Sequence, residues 1–328
     1  MVSDKIKASL KYYFSNLLFV WIAILIYRSN SYYTAFLRPE TQYILLYMAT
    51  AYTFTLPIYL FLKNPSKGYI ALIALKKMLI GSVKIHDERF VLERHEKNAL
   101  LFTMVKFFFL PIMLNFFLNN YFSLMTYSLK NITISQSYFL YPFFPMAFTF
   151  LFAIDTLWFS FSYAFESGFL KNKVRSVDPT FFGWFVALIS YPPFNTMVNN
   201  YIGWYPNDYI ELSHPSLTMI LRIFILIFIG IYVWATLALG TKCSNLTNRG
   251  IVSKGPYSFI RHPAYVCKNL AWWLTIIPIM SLPVFFSMLT WSIIYYFRAV
   301  TEERHLIADP DYQAYCKKVK YKFIPYIF

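Results

Sequence analysis

Charge is what this chain has least of. Only 14% of its 328 residues are Asp, Glu, Lys or Arg, against roughly a quarter in an average soluble domain. With 58% hydrophobic residues beside that shortage, a soluble globular protein is excluded as the first reading. Cysteine is scarce as well. Cys243, Cys267 and Cys316 are widely spaced, and such spacing forms neither a metal nor a redox motif. Glycine numbers nine, and the polar part of the chain contains no glycine-rich phosphate loop, no Cys/His metal cluster and no nucleophile elbow. The N-terminus, MVSDKIKASLKYYFSN, has no small-residue cleavage site, so no cleavable signal peptide is expected.

What the chain has is apolar length. Segments at 12–27, 42–62, 99–118, 138–163, 181–194, 216–240, 264–280 and 282–297 approach the roughly 20 residues that carry a helix across a bilayer core. They predict an all-α, polytopic transmembrane protein of about eight spans. A membrane barrel would show short alternating segments instead. Prolines punctuate several spans, which membrane helices tolerate. The last two segments nearly touch across Met280–Pro283 and read as a tight hairpin.

The net charge of +15 invites a nucleic-acid reading, but the cations follow the spans. With the N-terminus inside and strict alternation, the inside segments hold 24 of the 30 lysines and arginines. The outside loops hold Arg28, Arg38 and Lys130 alone. That bias is the positive-inside pattern. It predicts cytoplasmic N- and C-termini and no nucleic-acid partner. The inner stretch GYIALIALKKMLIGSV is compatible with a helix lying on the inner leaflet. Asp155, mid-span in FLFAIDTLWFSF, calls for a partner, and Arg222 and Lys106 are the candidates. Sequons at Asn131 and Asn245 are weak signals, and the second faces the cytoplasm in this topology.

One polar block interrupts the apolar sequence. It runs from Asn245 through Gly255-Pro256, Tyr257, Arg261, His262, Pro263 and Tyr265 into the hairpin, and ends with Arg298, Glu302 and Glu303. Pro263 suits a first helical turn, so Arg261 and His262 flank a helix N-terminus, which favours an anion. A hairpin brings that end beside Arg298, Glu302 and Glu303. The result is a pocket with donors for a carboxylate, acceptors for hydroxyls or ammonium, and aromatic faces for a ring. It suits a zwitterionic nucleoside such as S-adenosylmethionine, and also other amphoteric ligands. Trp272 and Trp273 are candidates for stacking or packing, and Lys268 and Asn269 for facing the pocket.

The order G-x-V-x-x-G-P-Y-x-x-x-R-H-P-x-Y, a hydrophobic hairpin, R-x-x-x-E-E-x-x-L and a D-Y-x-x-Y-x-x-x-V tail resembles the isoprenylcysteine carboxyl methyltransferase and phospholipid methyltransferase superfamily. The resemblance covers about the last 90 residues, Leu239–Phe328. It implies an integral-membrane enzyme that takes a methyl group from S-adenosylmethionine to a lipid or lipidated acceptor. Carried over by position, it implies cofactor contacts at Arg249, Gly250, Ile251, Val252, Tyr257, His262, Pro263, Ala264, Tyr265 and Glu303. It implies that Arg298 lies beside the acceptor's reactive group with Glu302 in support, and that Tyr312, Tyr315 and Val319 fold back as a lid. No metal site is implied.

Residues 241–328 are thus expected to be the catalytic region. Residues 1–240, about six spans, are expected to shape a substrate cavity or embed the enzyme. O-methylation of a carboxylate is the first expectation, and N-methylation of a phospholipid or amine the second. An NADPH-dependent membrane reductase of the sterol type and a non-catalytic membrane scaffold are the remaining readings. The active site is expected to face the cytoplasm. The lack of long hydrophilic extensions favours a bacterial inner membrane over the endoplasmic reticulum. Oligomeric state leaves no sequence signal.

Overall fold

The computed structural model describes residues 2–59, 65–83, 91–127, 133–206 and 211–325. Asn131, parts of the inner connection between 60 and 90, and part of the aromatic stretch before His214 lie outside them. The fold is helical, with a single two-stranded ladder among the described residues. It divides into two compact units, Met1–Asn115 and Phe116–Phe328.

The first unit contains α1 (Val2–Ser29), α2 (Pro39–Thr53), α3 (Lys67–Val83) and most of α4 (Arg94–Thr126). Helix α1 packs on α2 and α3. The stretch read as a candidate leaflet helix is α3. Buried Asn115 ties the unit together: its Oδ1 accepts from the Arg38 amide and the Thr41 hydroxyl, both at 2.8 Å, and its Nδ2 donates to the Phe36 carbonyl. Such satisfaction is obligatory for a polar group away from water.

In the second unit, a π-helical turn at Phe139–Phe143 that contains Pro142 leads into α5 (Phe144–Ala164). Two short helices follow, α6 (Phe181–Leu188) and α7 (Phe194–Asn199). Then come α8 (Pro215–Leu239), α9 (Pro263–Ile276), α10 (Leu282–Leu306) and α11 (Pro310–Lys318). Proline stands in the first turn of α8 to α11, where its missing N–H costs nothing. Gly240 ends α8 with a φ of 59°, a conformation open to glycine without strain.

Among the described residues, five helical stretches are long and apolar enough to cross a membrane: Asp4–Ser29, Arg94–Thr126, Gln136–Ala164, Pro215–Lys242 and Leu282–Leu306. The other three apolar segments form shorter helices than the eight-span reading supposes. Helices α2, α6 and α9 have 15, 8 and 14 residues. Pro192 and Pro193 follow α6, and Pro278 lies in a 3₁₀ turn that extends α9. Helices break where the backbone N–H is missing.

The order of the ends explains how the short pieces are used. The Ser162 hydroxyl near the end of α5 donates to the Thr241 carbonyl just past α8, so α5 and α8 run parallel. The chain must therefore return between them. It does so through α6 and α7 to Gly203, whose carbonyl accepts from Ser287 and Trp291 in the first half of α10. The core joins α5, α8, α9 and α10 through Phe144, Phe148, Ile229, Tyr232, Trp272, Ile276 and Met288. Trp272 belongs to this core and stacks on Phe152.

Asp155 is not paired with Arg222 or Lys106 as expected. Its two oxygens accept from Tyr232 and Thr236 of α8, both at 2.7 Å. Arg222 donates to the Leu140 carbonyl at 2.6 Å and lies 3.5 Å from Glu211. Hydroxyls on the neighbouring helix satisfy both oxygens, and the Lys268 ammonium of α9 lies within electrostatic range of the carboxylate.

Strands β1 (Ser176–Val177) and β2 (Thr247–Asn248) pair antiparallel. They bind the connection after α5 to the start of the polar block. The C-terminal tail closes the same end. Asp309 caps α11 through the Asp311 amide, and its Oδ2 accepts from Asn248 Nδ2 at 2.7 Å and Arg175 Nη1 at 2.9 Å. Burial alone would raise the Asp309 carboxyl, but these donors outweigh it and hold it below its ordinary value. The α11 face buries Tyr312 and Tyr315, and Val319 beyond it, against Ile251 and Tyr257. The tail thus folds back on the polar block.

Two predictions follow from this packing. A Cβ at Gly183 would stand 2.0 Å from the Asp178 carboxylate, so Gly183→Ala should destabilise the unit by about 1–3 kcal/mol, read as a lower melting temperature in detergent. The depressed Asp309 pKa contributes stability above about pH 3.9, which is lost as pH falls through the folded value. Acidification should therefore speed protease cleavage in the tail. Asp309→Asn, which keeps a capping oxygen but not the charge, should speed it already at neutral pH and flatten its acid dependence.

Candidate active site

The antiparallel pair α9 and α10 brings residue 262 beside residue 303. Glu303 Oε1 accepts from Arg261 Nε at 2.7 Å and lies 3.2 Å from His262 Nε2 and the Tyr312 hydroxyl. Lys322 Nζ reaches Oε2 at 2.8 Å. The Arg261 and His262 amides donate to the carbonyls of Tyr321 and Lys322, both at 3.0 Å. One carboxylate thus joins the start of α9, the end of α10, α11 and the tail.

Arg298 lies five residues earlier on α10 and is buried. Its Nη2 donates to Asn245 Oδ1 at 3.0 Å. The guanidinium carbon is 5.5–5.6 Å from the ring centres of Tyr191, Tyr265 and Tyr295. Asn245 is itself oriented: its Nδ2 donates to the hydroxyls of Tyr163 at 3.0 Å and Tyr191 at 3.2 Å, and its amide donates to Tyr163 at 2.7 Å. With both donors committed, its carbonyl is left for Arg298. Beside this pair the Tyr265 hydroxyl donates to Glu302 Oε2 at 2.9 Å.

These groups line a cavity that also takes in Tyr232, Thr236, Tyr257, His262, Ala264 and Lys268. It takes in about 690 Å³ of non-atom space, its mouth and the adjoining open solvent included. A second hollow lies on the other side of Asn245, Tyr265, Arg298 and Glu302. It is bounded by Asp178, Gly183, Thr301 and His305.

Of the residues carried over from the resemblance, Tyr257, His262, Ala264, Tyr265, Arg298 and Glu302 line the main cavity. The others lie behind it. Arg249 is buried and donates to the Ser162 carbonyl at 2.7 Å. Gly250 takes a φ of 96° and its amide bonds Asn248 Oδ1. Ile251 packs under the tail, and Val252 follows it in the same partly buried stretch. Pro263 is buried in the first turn of α9, and Glu303 is the junction described above. Trp272 and Trp273 do not line the cavity; Trp273 Nε1 bonds Ser292. Asn269 accepts from the same serine, whereas Lys268 faces the cavity.

Sequence reasoning missed the setting of Arg298. Asn245 carried only a sequon signal, and Tyr191 and Tyr295 gave none, since their convergence depends on the α6 return and the α10 face. Burial pushes the Cys243 thiol up to about 12, so this cysteine is not a thiolate nucleophile at neutral pH.

Chemically, the cavity offers guanidinium and ammonium groups for anions, one carboxylate for donors and cations, and several ring faces. No curated protein and no solved structure matches the chain significantly. Residues 215–309, which span α8 to the start of the tail, match the family model of the phospholipid methyltransferases, a family of the integral-membrane methyltransferase superfamily that includes the isoprenylcysteine carboxyl methyltransferases.

Proposed function

We propose that the protein transfers a methyl group from S-adenosylmethionine to a lipophilic acceptor within the membrane, with a carboxylate as the acceptor group. The observation that carries this reading is the convergence of Arg298, Glu302, Tyr265 and His262 on one cavity inside the matched region. The donor set fits the cofactor. Glu302 can accept from ribose hydroxyls or an ammonium, tyrosine faces suit both a cation and a planar base, and cationic side chains suit a carboxylate. When bound, the cofactor supplies a methyl group already activated by the sulfonium charge.

The protein's own part is then orientation and exclusion of water. Asn245 and the three tyrosines fix Arg298 so that its planar fork can hold a carboxylate. A carboxylate is already anionic at neutral pH, so its attack needs no base. The second reading is N-methylation of a phospholipid headgroup, favoured by the description of the matched family. There a proton must leave the amine, and Glu302 is the cavity's carboxylate to receive it.

Calorimetry of the purified protein with S-adenosylhomocysteine and, in parallel, NADPH tests the proposal. Binding of the former and not the latter is expected. Binding of NADPH alone would overturn it in favour of a reductase. Arg298→Lys keeps the charge but not the fork. It should lower turnover of a labelled methyl donor by about tenfold or more, while affinity for the homocysteine product stays near that of the wild type.

A further inference from the structure

The first unit, outside the matched residues 215–309, carries an open groove between α1 and α3. Lys11, Phe14, Leu18 and Trp21 of α1 form one wall, and Tyr69 and Leu72 of α3 the other. Spaced by three or four residues, the α1 set lies on one helical face. Phe14, Leu18 and Trp21 are 58%, 45% and 38% exposed, so the described chain leaves that face uncovered. Another face of α1 packs on α2: Tyr13 is buried and its hydroxyl donates to the Thr53 carbonyl at 2.5 Å.

Two contacts fix how the walls pass each other. The Tyr12 and Tyr69 ring centres stand 5.1 Å apart, and Asn16 Nδ2 donates to Ser66 Oγ at 2.5 Å. Gly68 permits this approach, since a Cβ there would meet Asn16 Oδ1 at 2.5 Å. Residue 69 is thus level with 12 and residue 66 with 16, so the helices run antiparallel and α3 advances toward the start of α1. Lys76, four residues after Leu72, shares the α3 face that lines the groove. It lies about 10 Å beyond Tyr69, level with the first turns of α1. Lys7, one turn before Lys11, stands there on the groove face. Lys7, Lys11 and Lys76 are all exposed. Asp4 is the acid in the first turn of α1, and Glu96 is paired with the neighbouring Lys77, so three lysines against Asp4 leave this end net positive.

The groove is therefore polarised. Its cationic end opens beside the start of α1, and its apolar wall runs from Lys11 to Trp21 over about 15 Å. That length is about half of a bilayer's hydrocarbon core, the depth of one leaflet, and α1 is long and apolar enough to span it.

We infer that this groove is a binding site for an anionic phospholipid, with an acyl chain along Phe14, Leu18 and Trp21 and the phosphate and anionic head group among Lys7, Lys11 and Lys76. An apolar face alone accepts any lipid tail. Basic side chains at its end add selectivity for negative charge, about fivefold per cation, and long lysine stems carry that charge to the head-group level while covering apolar surface. A zwitterionic head offers the same phosphate, but its ammonium is repelled by the three cations. The groove shares no residue with the cavity of the second unit. Its lipid is a resident ligand of the first unit and not the methyl acceptor, so the inference does not rest on methyl transfer.

The full chain in dodecylmaltoside is titrated with dioleoylphosphatidylglycerol and dioleoylphosphatidylcholine, which share their acyl chains, and with glycerol phosphate, which has none. Binding is read by native mass spectrometry. The anionic lipid should bind at least about tenfold tighter than the zwitterionic one, and glycerol phosphate should not displace it. Phosphatidylglycerol with a diazirine in its acyl chain should cross-link to α1 or α3. Replacing Lys7, Lys11 and Lys76 together by glutamine should bring the anionic lipid to the affinity of the zwitterionic one, and replacing them by arginine should retain the preference. Equal binding of the two lipids, a preference unchanged in the glutamine variant, or cross-links confined to other helices would each overturn the inference. Displacement by glycerol phosphate would also overturn it, leaving the lysines a site for soluble phosphate. Head-group preference and cross-link position are read on the wild type, so they decide the matter even where the glutamine variant fails to fold.

Discussion

The second unit depends on the Glu303 junction. Helix hairpins in an apolar environment gain little from the hydrophobic effect, because lipid tails are as apolar as the helix faces. Their register must be set by packing and by the few polar contacts available. Here the carboxylate at the end of α10 gathers Arg261, His262, Lys322 and Tyr312. It fixes how far α9 slides along α10 and brings the tail over the polar block. The relative level of every cavity residue on the two helices follows from that contact. Although Glu303 does not line the cavity, it decides which residues do.

The same economy governs the interior. Charged groups buried among the helices draw partners from an adjacent helix or turn: Asp155 from Tyr232 and Thr236, Arg222 from the Leu140 carbonyl, Arg249 from the Ser162 carbonyl. These bonds also explain the parallel course of α5 and α8. Parallel neighbours need a return between them. The broken run through α6 and α7 supplies it, and where its backbone has left the helical ladder at Gly203 the carbonyl accepts from Ser287 and Trp291. Irregular backbone at membrane depth is tolerated on that condition.

How far the sequence made this legible follows from the range of each signal. The helical class, the hairpin after Pro263 and the meeting of His262 with Glu303 were readable, since apolar length and a short turn are local properties. So was the fold-back of Tyr312, Tyr315 and Val319, through the resemblance. The lengths of the shorter helices were not, because hydropathy does not register that Pro192-Pro193 or Pro278 ends a helix inside an apolar run. The partner of Asp155 was missed for a related reason. A search for opposite charge passes over hydroxyls, and Tyr232 and Thr236 become neighbours of residue 155 only after α8 is laid parallel to α5. Asn245 was hidden behind a commonplace tripeptide. Its role depends on Tyr163 and Tyr191, which lie 82 and 54 residues away.

An aromatic content of 22% beside 14% charge then has a physical use. Three cations within the helices of this unit lie over rings: Arg222 over Phe144 with Glu211 also at 3.5 Å, Lys268 over Tyr232 with Asp155 in electrostatic range, and Arg298 among Tyr191, Tyr265 and Tyr295 with no carboxylate ion pair among the described residues. A ring face and a carboxylate both stabilise a buried cation, with opposite consequences for a ligand. A carboxylate cancels the charge, as Glu303 does for Arg261, and the pair becomes structural. A ring holds the cation in place through its quadrupole and leaves the net charge intact. Cations meant to meet an anion inside the membrane are therefore better seated on tyrosine than on glutamate. The division holds within one cavity wall. Arg261 is neutralised and holds the fold, and Arg298, one helix away, is caged by rings and keeps its charge directed at the cavity.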